Sequence, residues 1–90
     1  MDYIVKQDDI SVIVEETKTK VKQDNINQYI TLRKKKRMTQ EDIANTTGIA
    51  RANIARVESG RNVPTIEILT KLAIALDMDL EIKFVERGDK

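Results

Sequence analysis

The chain has 90 residues, a length that fits one domain with a small hydrophobic core. It contains no histidine and no cysteine, so the usual general base, thiol nucleophile and transition-metal ligands are missing. No apolar run is long enough to span a membrane, and the first residues do not resemble a signal peptide. We therefore expect a cytoplasmic protein that is not an enzyme and that needs no metal or cofactor.

The net charge of +1 hides an uneven distribution along the chain. Residues 1–19 hold two basic and five acidic side chains, which gives −3. Residues 20–61 hold ten basic and four acidic ones (+6), and residues 62–90 hold four and six (−2). A basic middle between acidic ends favours binding of a polyanion through one surface.

Residues 1–24 form an N-terminal arm whose secondary structure the sequence leaves open. Residues 3–5 are compatible with a short strand. From Asp9, a candidate N-cap, apolar positions recur at helical spacing: Ile10, Ile13, Val14, Thr17 and Val21. The β-branched run at residues 12–14 is also compatible with a strand. Of the two alternatives we favour the helix.

A helix is predicted over residues 25–37, with four positions on successive turns: Ile26, Tyr29, Ile30 and Arg33. Its last four residues, 34–37, are all basic. This run is open to two interpretations, a solvated helix face or a set of phosphate contacts.

A short helix is predicted next, from Thr39 to about residue 47. Thr39 is a hydroxyl N-cap, and Asp42 three residues later completes a capping box. Gly48 then supplies the positive φ that a sharp turn requires, because glycine has no Cβ. The pattern therefore predicts a short helix that ends in a tight turn.

A second short helix is predicted over residues 51–59, with Ile54 and Val57 facing inward and Gly60 as its C′ cap. Its outer face carries four residues: Arg51, Ala52, Asn53 and Arg56. Arginine and asparagine make bidentate contacts to guanine and adenine edges in the major groove. The small side chains of Ala50 and Ala52 let such a helix approach closely.

The C-terminal third is predicted to hold one more helix and a strand. Val63 is extended before Pro64, and Thr65 caps a helix with a continuous apolar stripe: Ile66, Leu69, Leu72, Ala73 and Leu76. Residues 80–84 alternate apolar and charged side chains, the period of a half-buried strand. Since a lone strand is unstable, it must pair with residues 3–5 or with another chain.

The stretch from Thr39 to Arg61 resembles the helix-turn-helix of the phage repressor and Cro family, also called the XRE family. The matching positions within it are Gln40, Ala44, Gly48, Ile49, Ile54 and the ending Val-Glu-Ser-Gly-Arg at residues 57–61. The flanks match as well, at residues 32–34, 38–40, 63–65, Leu69 and 72–73. The resemblance covers about residues 26–76.

The resemblance implies a mainly α fold, a repressor-like helix-turn-helix bundle of four to five helices. A short C-terminal strand and a candidate short N-terminal strand complete it. The expected layout is an arm at 1–24, a DNA-binding domain at 25–78, a strand at 79–85 and a frayed tail at 86–90.

The resemblance also assigns roles to single residues. Arg33 is expected to form a structural ion pair with Glu58. Thr39 and Gln40 are expected to meet phosphate at a helix N-terminus, with Gln40 beside the base-reading side chains. Ala50 stands where the family often has serine or threonine, and this departure weakens the N-cap and removes a hydroxyl contact.

On the second helix of the pair, Arg51 is the first candidate base reader and Ala52 lies beside it. Asn53 and Arg56 are expected to read bases or to hold the DNA backbone. Arg61 is expected to bind phosphate from the loop.

The implied function is a sequence-specific transcriptional regulator that binds a two-fold DNA operator as a homodimer. The alternative is an antitoxin, loosely similar to HigA-like proteins, that neutralises a RelE/HigB-like toxin and represses its own operon. In either case the strand with Leu80, Ile82 and Phe84 is a candidate dimer or partner surface, because an open apolar strand edge must be covered.

Overall fold

The computed structural model describes residues 6–86, and all regular secondary structure in that range is helical. Five α-helices follow one another along the chain: α1 (Gln7–Lys20), α2 (Ile26–Lys35), α3 (Gln40–Thr47), α4 (Arg51–Glu58) and α5 (Ile66–Ala75). A π-helical turn, Val21–Asn25, joins α1 to α2. None of the helices in residues 6–86 combines the length and the apolar character that crossing a membrane requires.

Helices α2 to α5 enclose the hydrophobic core. α3 packs against α4 and α5, and α2 packs against α4. The buried apolar residues come from all four helices, from the α3–α4 turn (Ile49) and from the residue directly after α5 (Leu76): Ile26, Tyr29, Ile43, Ile49, Ile54, Val57, Leu72 and Leu76. Each large side chain removed from water contributes about 1.5–3 kcal/mol, so this cluster holds the short helices in place.

The N-terminal arm is helical over its described part, which decides against the strand alternative at residues 12–14. The helix begins at Gln7, two residues before the predicted N-cap Asp9, and no residue of α1 is buried. α1, the π-helical turn and α2 have 14, 5 and 10 residues and follow without a break. The long axis of the molecule accordingly measures 48 Å against 22 and 19 Å. The candidate strand at residues 3–5 lies outside the described residues.

The residues that cap α3, α4 and α5 are those predicted from the sequence. The Thr39 hydroxyl accepts a hydrogen bond from the Asp42 N–H at 3.0 Å, and an Asp42 carboxylate oxygen accepts one from the Thr39 N–H at 2.8 Å. This is the reciprocal capping box. Gly48 ends α3 with φ +79°, and Gly60 follows α4 with φ +78°. Thr65 caps α5 by accepting a hydrogen bond from the Ile68 N–H at 3.1 Å.

The predicted C-terminal strand is wrong for the described residues. Residues 78–86 follow α5 without strand pairing, and Phe84 is fully exposed while Leu80 is half-buried. Alternation of apolar and charged residues produces a strand only where a neighbouring strand supplies hydrogen bonds, and residues 6–86 offer none.

The predicted apolar stripe of α5 is wrong at its first position. Leu72 and Leu76 are buried and Leu69 is half-buried, whereas Ile66 remains 63% exposed. Ile66 is the first residue of α5, where the helix has not yet reached the core. Ile74, outside the predicted stripe, is similarly exposed at 67%.

Candidate nucleic-acid interface

The turn between α3 and α4 fixes which face of α4 meets solvent. Ile49 enters the core at this turn and Ile54 and Val57 are buried along α4, so the opposite face points outward. On that face Arg51, Ala52 and Arg56 are exposed, whereas Asn53 is half-buried. The second helix of the pair therefore presents mainly small and cationic side chains to solvent.

The N-terminus of α4 has no side-chain cap. Ala50 is the N-cap residue, and only its carbonyl oxygen takes part, accepting from the Asn53 and Ile54 N–H groups at 2.9 and 3.1 Å. A methyl group at this position leaves the backbone N–H groups of Arg51 and Ala52 open to an incoming acceptor. It also adds little bulk to the surface that would face a groove.

A shallow cleft lies where the end of α2, the start of α3 and the start of α4 meet. Its lining is mostly basic or polar: Arg33, Lys34, Arg37, Met38, Thr39, Gln40, Glu41 and Arg51. Thr39, Gln40 and Arg51, all expected from the sequence to contact DNA, thus share one cleft. Helix N-terminus, hydroxyl, amide and guanidinium groups are the donors that bind phosphate.

Glu58 connects this cleft to the core through hydrogen bonds. Its carboxylate accepts two hydrogen bonds from Arg33, Nε to Oε2 at 2.9 Å and Nη2 to Oε1 at 2.8 Å. Oε1 also accepts from Gln40 Nε2 at 3.2 Å, and Arg33 Nη1 donates to the Met38 carbonyl at 2.8 Å. The carboxylate therefore positions Gln40 at the edge of the cleft, while Arg33 is held in place by three hydrogen bonds to two partners.

The electrostatic environment of this network follows from its burial. The side chains of Arg33 and Glu58 are 10% and 8% exposed. The hydrogen bond to Glu58 raises the pKa of Arg33 above its usual value, against the opposing effect of burial. For the neighbouring Tyr29 phenol, burial is the main cause that raises the pKa, and the negative charge of Glu58 raises it further. Within the described residues the Tyr29 hydroxyl makes no hydrogen bond although it is buried.

The capping box favours the ionised form of the Asp42 carboxyl group. The hydrogen bond from the Thr39 backbone N–H lowers the pKa of Asp42 below its ordinary value of 3.8, and the interaction with the Thr39 side chain makes a smaller contribution in the same direction. The Thr39 hydroxyl acts as acceptor in this arrangement, so its own proton is free to be donated to a phosphate oxygen.

Two contacts of this region were not predicted from the sequence. Glu41 lies opposite Arg51, with an oxygen 3.7 Å from Nε in a pair whose side chains are both well exposed. Glu41 directly follows Gln40, but nothing in the local pattern indicates a contact with α4. Lys36 donates through its ammonium group to the Leu76 carbonyl at the end of α5, so within the basic run it has a structural contact.

Other predicted site residues lie outside the cleft. Arg56 and Arg61 are exposed on and beyond α4, one on each side of Gly60. Leu80 borders a separate apolar groove between α2 and α5, and Ile82 and Phe84 are exposed beyond it. In residues 6–86 no group of three acidic side chains is close enough to hold a metal ion.

Helices α3 and α4 are joined by a turn at Gly48, and the outward face of α4 begins with Arg51 beside a basic cleft. These features define a helix-turn-helix module of the DNA-binding type. The family model HTH_3, described as helix-turn-helix, matches residues 30–83. That is more than half of the sequence, and the chain belongs to this family.

A relative supports the assignment. The ImmF control region 10 kDa protein of Bacillus phage phi105 is 34% identical over 62 residues, which cover 62% of this chain and 69% of that protein. No solved structure matches the chain. The phage origin of this relative agrees with the resemblance to phage repressors.

Proposed function

We propose that this chain is a sequence-specific transcriptional regulator of the repressor type, which reads the major groove of double-stranded DNA with α4. The observation that carries the proposal is the shared cleft, in which Arg51 of α4 lies beside Thr39 and Gln40 of α3. In this arrangement α3 holds the phosphate backbone while α4 enters the groove. The control-region relative from a phage is in keeping with a regulatory role.

The side chains of α4 and the following loop divide into base contacts and phosphate contacts according to their chemistry and position. Arg51 has the guanidinium fork that pairs with guanine O6 and N7, and it stands at the helix end that enters the groove first. Asn53 and Arg56 lie further along α4, where they read bases or meet phosphate. Arg61 follows Gly60 in the loop and binds phosphate, a contact that positions the protein without selecting sequence.

We propose that two copies act on a two-fold operator, as the half-site geometry of this class requires. The recognition helices would then enter successive major grooves on one side of the DNA, about 34 Å apart. The antitoxin alternative stays a prediction of the sequence.

The test begins with selection of binding sites from a random duplex library. We expect enrichment of a two-fold symmetric site. Arg51→Ala should then lose about 1–3 kcal/mol on the selected site and little on random DNA, because it removes a base contact. Arg61→Ala should weaken both DNAs alike and lower the slope of log K against log salt by about one unit.

A matched control is Lys71→Ala, which removes a partly exposed cation on α5, paired with Glu67 and outside the cleft. It should leave both affinities nearly unchanged. Failure to enrich any site would overturn sequence-specific binding. Equal losses for Arg51→Ala on selected and random DNA would remove Arg51 as a base reader.

A further inference from the structure

Helix α1 and the first residue of the π-helical turn carry an apolar stripe that the described structure leaves largely uncovered. The stripe consists of Ile10, Val14, Thr17 and Val21, at steps of four, three and four residues, and only Val21 is half-buried. Ile10 and Val14 are 49% and 45% exposed, and no residue of α1 is buried. This spacing is the alternating pattern by which one helix packs along another.

The composition of α1 gives the helix little stability of its own. Six of its 14 residues are β-branched: Ile10, Val12, Ile13, Val14, Thr17 and Thr19. β-Branched residues lose side-chain freedom in a helix, and a helix of this length is marginal in water even with better formers. A helix with such a sequence is stabilised when its stripe packs against a partner.

The order of charges along α1 favours a second, antiparallel copy of the same helix as the partner. Asp8 and Asp9 lie in the first turn of α1, and Lys20 and Lys22 lie at its other end. At about 100° per residue, Asp9 and Lys20 flank the stripe on the same side, whereas Asp8 lies near the far side of the helix. A second copy running in the opposite direction places Asp9 of each copy near Lys20 of the other. A parallel copy would instead bring Lys20 opposite Lys18 of the other copy, so that like charges meet.

We propose that α1 is a self-association surface, on which two copies of this chain pair their α1 helices in antiparallel orientation. Ile10 packs against Val21 of the second copy and Val14 packs against Thr17, with the two-fold axis between residues 15 and 16. The same patch serves both copies, as an isologous contact requires. The surface lies outside the cleft, so it goes beyond DNA binding and does not rest on it.

The first experiment measures the molar mass of the full chain by sedimentation equilibrium without DNA. The parent is expected to dimerise, and Val14→Lys to raise the dimer dissociation constant at least about tenfold, because both copies lose an apolar contact. The matched control is Val12→Lys, since Val12 is 57% exposed on the opposite side of α1. It introduces the same residue two positions away and should dimerise like the parent.

Thermal unfolding of both variants verifies that the core is intact, because neither valine contacts it. A parent that remains monomeric up to its solubility limit overturns the proposal, as do two variants that behave alike. A monomeric parent that instead forms a stable complex with a different protein assigns the stripe to that partner and also overturns it. DNA titrations of the monomeric variant report separately on the cleft.

The second experiment tests the orientation with engineered cysteines, which stand alone because the chain has none of its own. In the antiparallel pair Ile10→Cys of one copy faces Val21→Cys of another, so a mixture of the two variants should form a heterodisulfide. Two copies of Ile10→Cys would lie eleven residues apart along the helices, about 16 Å, beyond the ~7 Å limit between Cα atoms. Rapid disulfide formation by Ile10→Cys alone would show a parallel pair and overturn the antiparallel assignment.

Discussion

Arg33 and Glu58 lie 25 positions apart in the sequence and are joined by two parallel hydrogen bonds of 2.9 and 2.8 Å. The pair connects the helix before the helix-turn-helix to the last residue of its second helix. Gln40 donates to the same carboxylate, so the pair also holds a residue of the proposed phosphate site. The phosphate contact proposed for Gln40 would therefore depend on the same carboxylate that stabilises the fold.

Glu58→Ala should destabilise the fold by about 3–5 kcal/mol, because it leaves the buried Arg33 guanidinium without its counter-charge. The double variant Arg33→Met with Glu58→Leu should recover much of this loss, since it removes both charges and retains apolar volume. Urea denaturation gives the free energies of unfolding. Glu41→Ala, at an exposed carboxylate, is the control and should stay within about 0.5 kcal/mol of the parent. An equally small effect for Glu58→Ala would contradict the buried character of the pair.

Tyr29→Phe should leave the free energy of unfolding unchanged or raise it by about 1 kcal/mol. The substitution keeps the buried ring and removes a hydroxyl that makes no hydrogen bond in the described residues. Tyr29→Leu provides the comparison, because it also changes the shape of the core and should destabilise. A loss above about 1 kcal/mol for Tyr29→Phe would show that the hydroxyl does bond to the adjacent carboxylate of Glu58.

The stability of α3 should depend on pH through Asp42. Its pKa in the folded state lies below the ordinary 3.8, so its contribution is fully present above that value and is lost as pH falls through the folded pKa. Melting temperatures measured between about pH 2 and pH 6 should fall at the acid end of this range. Asp42→Asn should be less stable at pH 6, and its deficit should shrink towards pH 2. A constant difference between the two proteins would exclude a role for this ionisation.

Glu41→Gln should tighten binding to all DNA sequences by about three- to tenfold. The exposed carboxylate stands in the cleft beside Arg51, where it repels phosphate and engages the proposed base reader. The exposed pair itself contributes little to stability, so the fold should be unaffected. Titrations on selected and random DNA provide the measurement. Weaker binding on the selected site alone would instead show that the carboxylate accepts a hydrogen bond from a cytosine amino group.

The parts of the fold that are encoded locally could be predicted from the sequence. Thr39 and Asp42 cap each other across three residues, and Gly48 adopts its turn conformation without help from distant contacts. The inward position of Arg33 also followed from helical spacing, although its partner was supplied by resemblance to a family. Such features depend on neighbours in the chain, which the sequence displays directly.

The remaining errors concern partners that the sequence does not display. Residues 80–84 have the period of a strand, but no neighbouring strand exists in the described structure, so the segment is irregular. The contact between Glu41 and Arg51 depends on the angle between α3 and α4, which local patterns do not specify. The exposure of Ile66 likewise depends on where the core ends.

The π-helical turn at Val21–Asn25 determines the direction in which α1 leaves the core. A π turn contains about one residue more than an α turn, and α1 has no buried residue that would hold its orientation independently. Deleting one residue from this turn would restore α geometry and rotate α1 by about 100° around its axis, with a shift of about 1.5 Å towards the core. The rotation of α1 about its own axis thus depends on the number of residues in the turn. Deletion of one residue would turn its apolar stripe in a different direction.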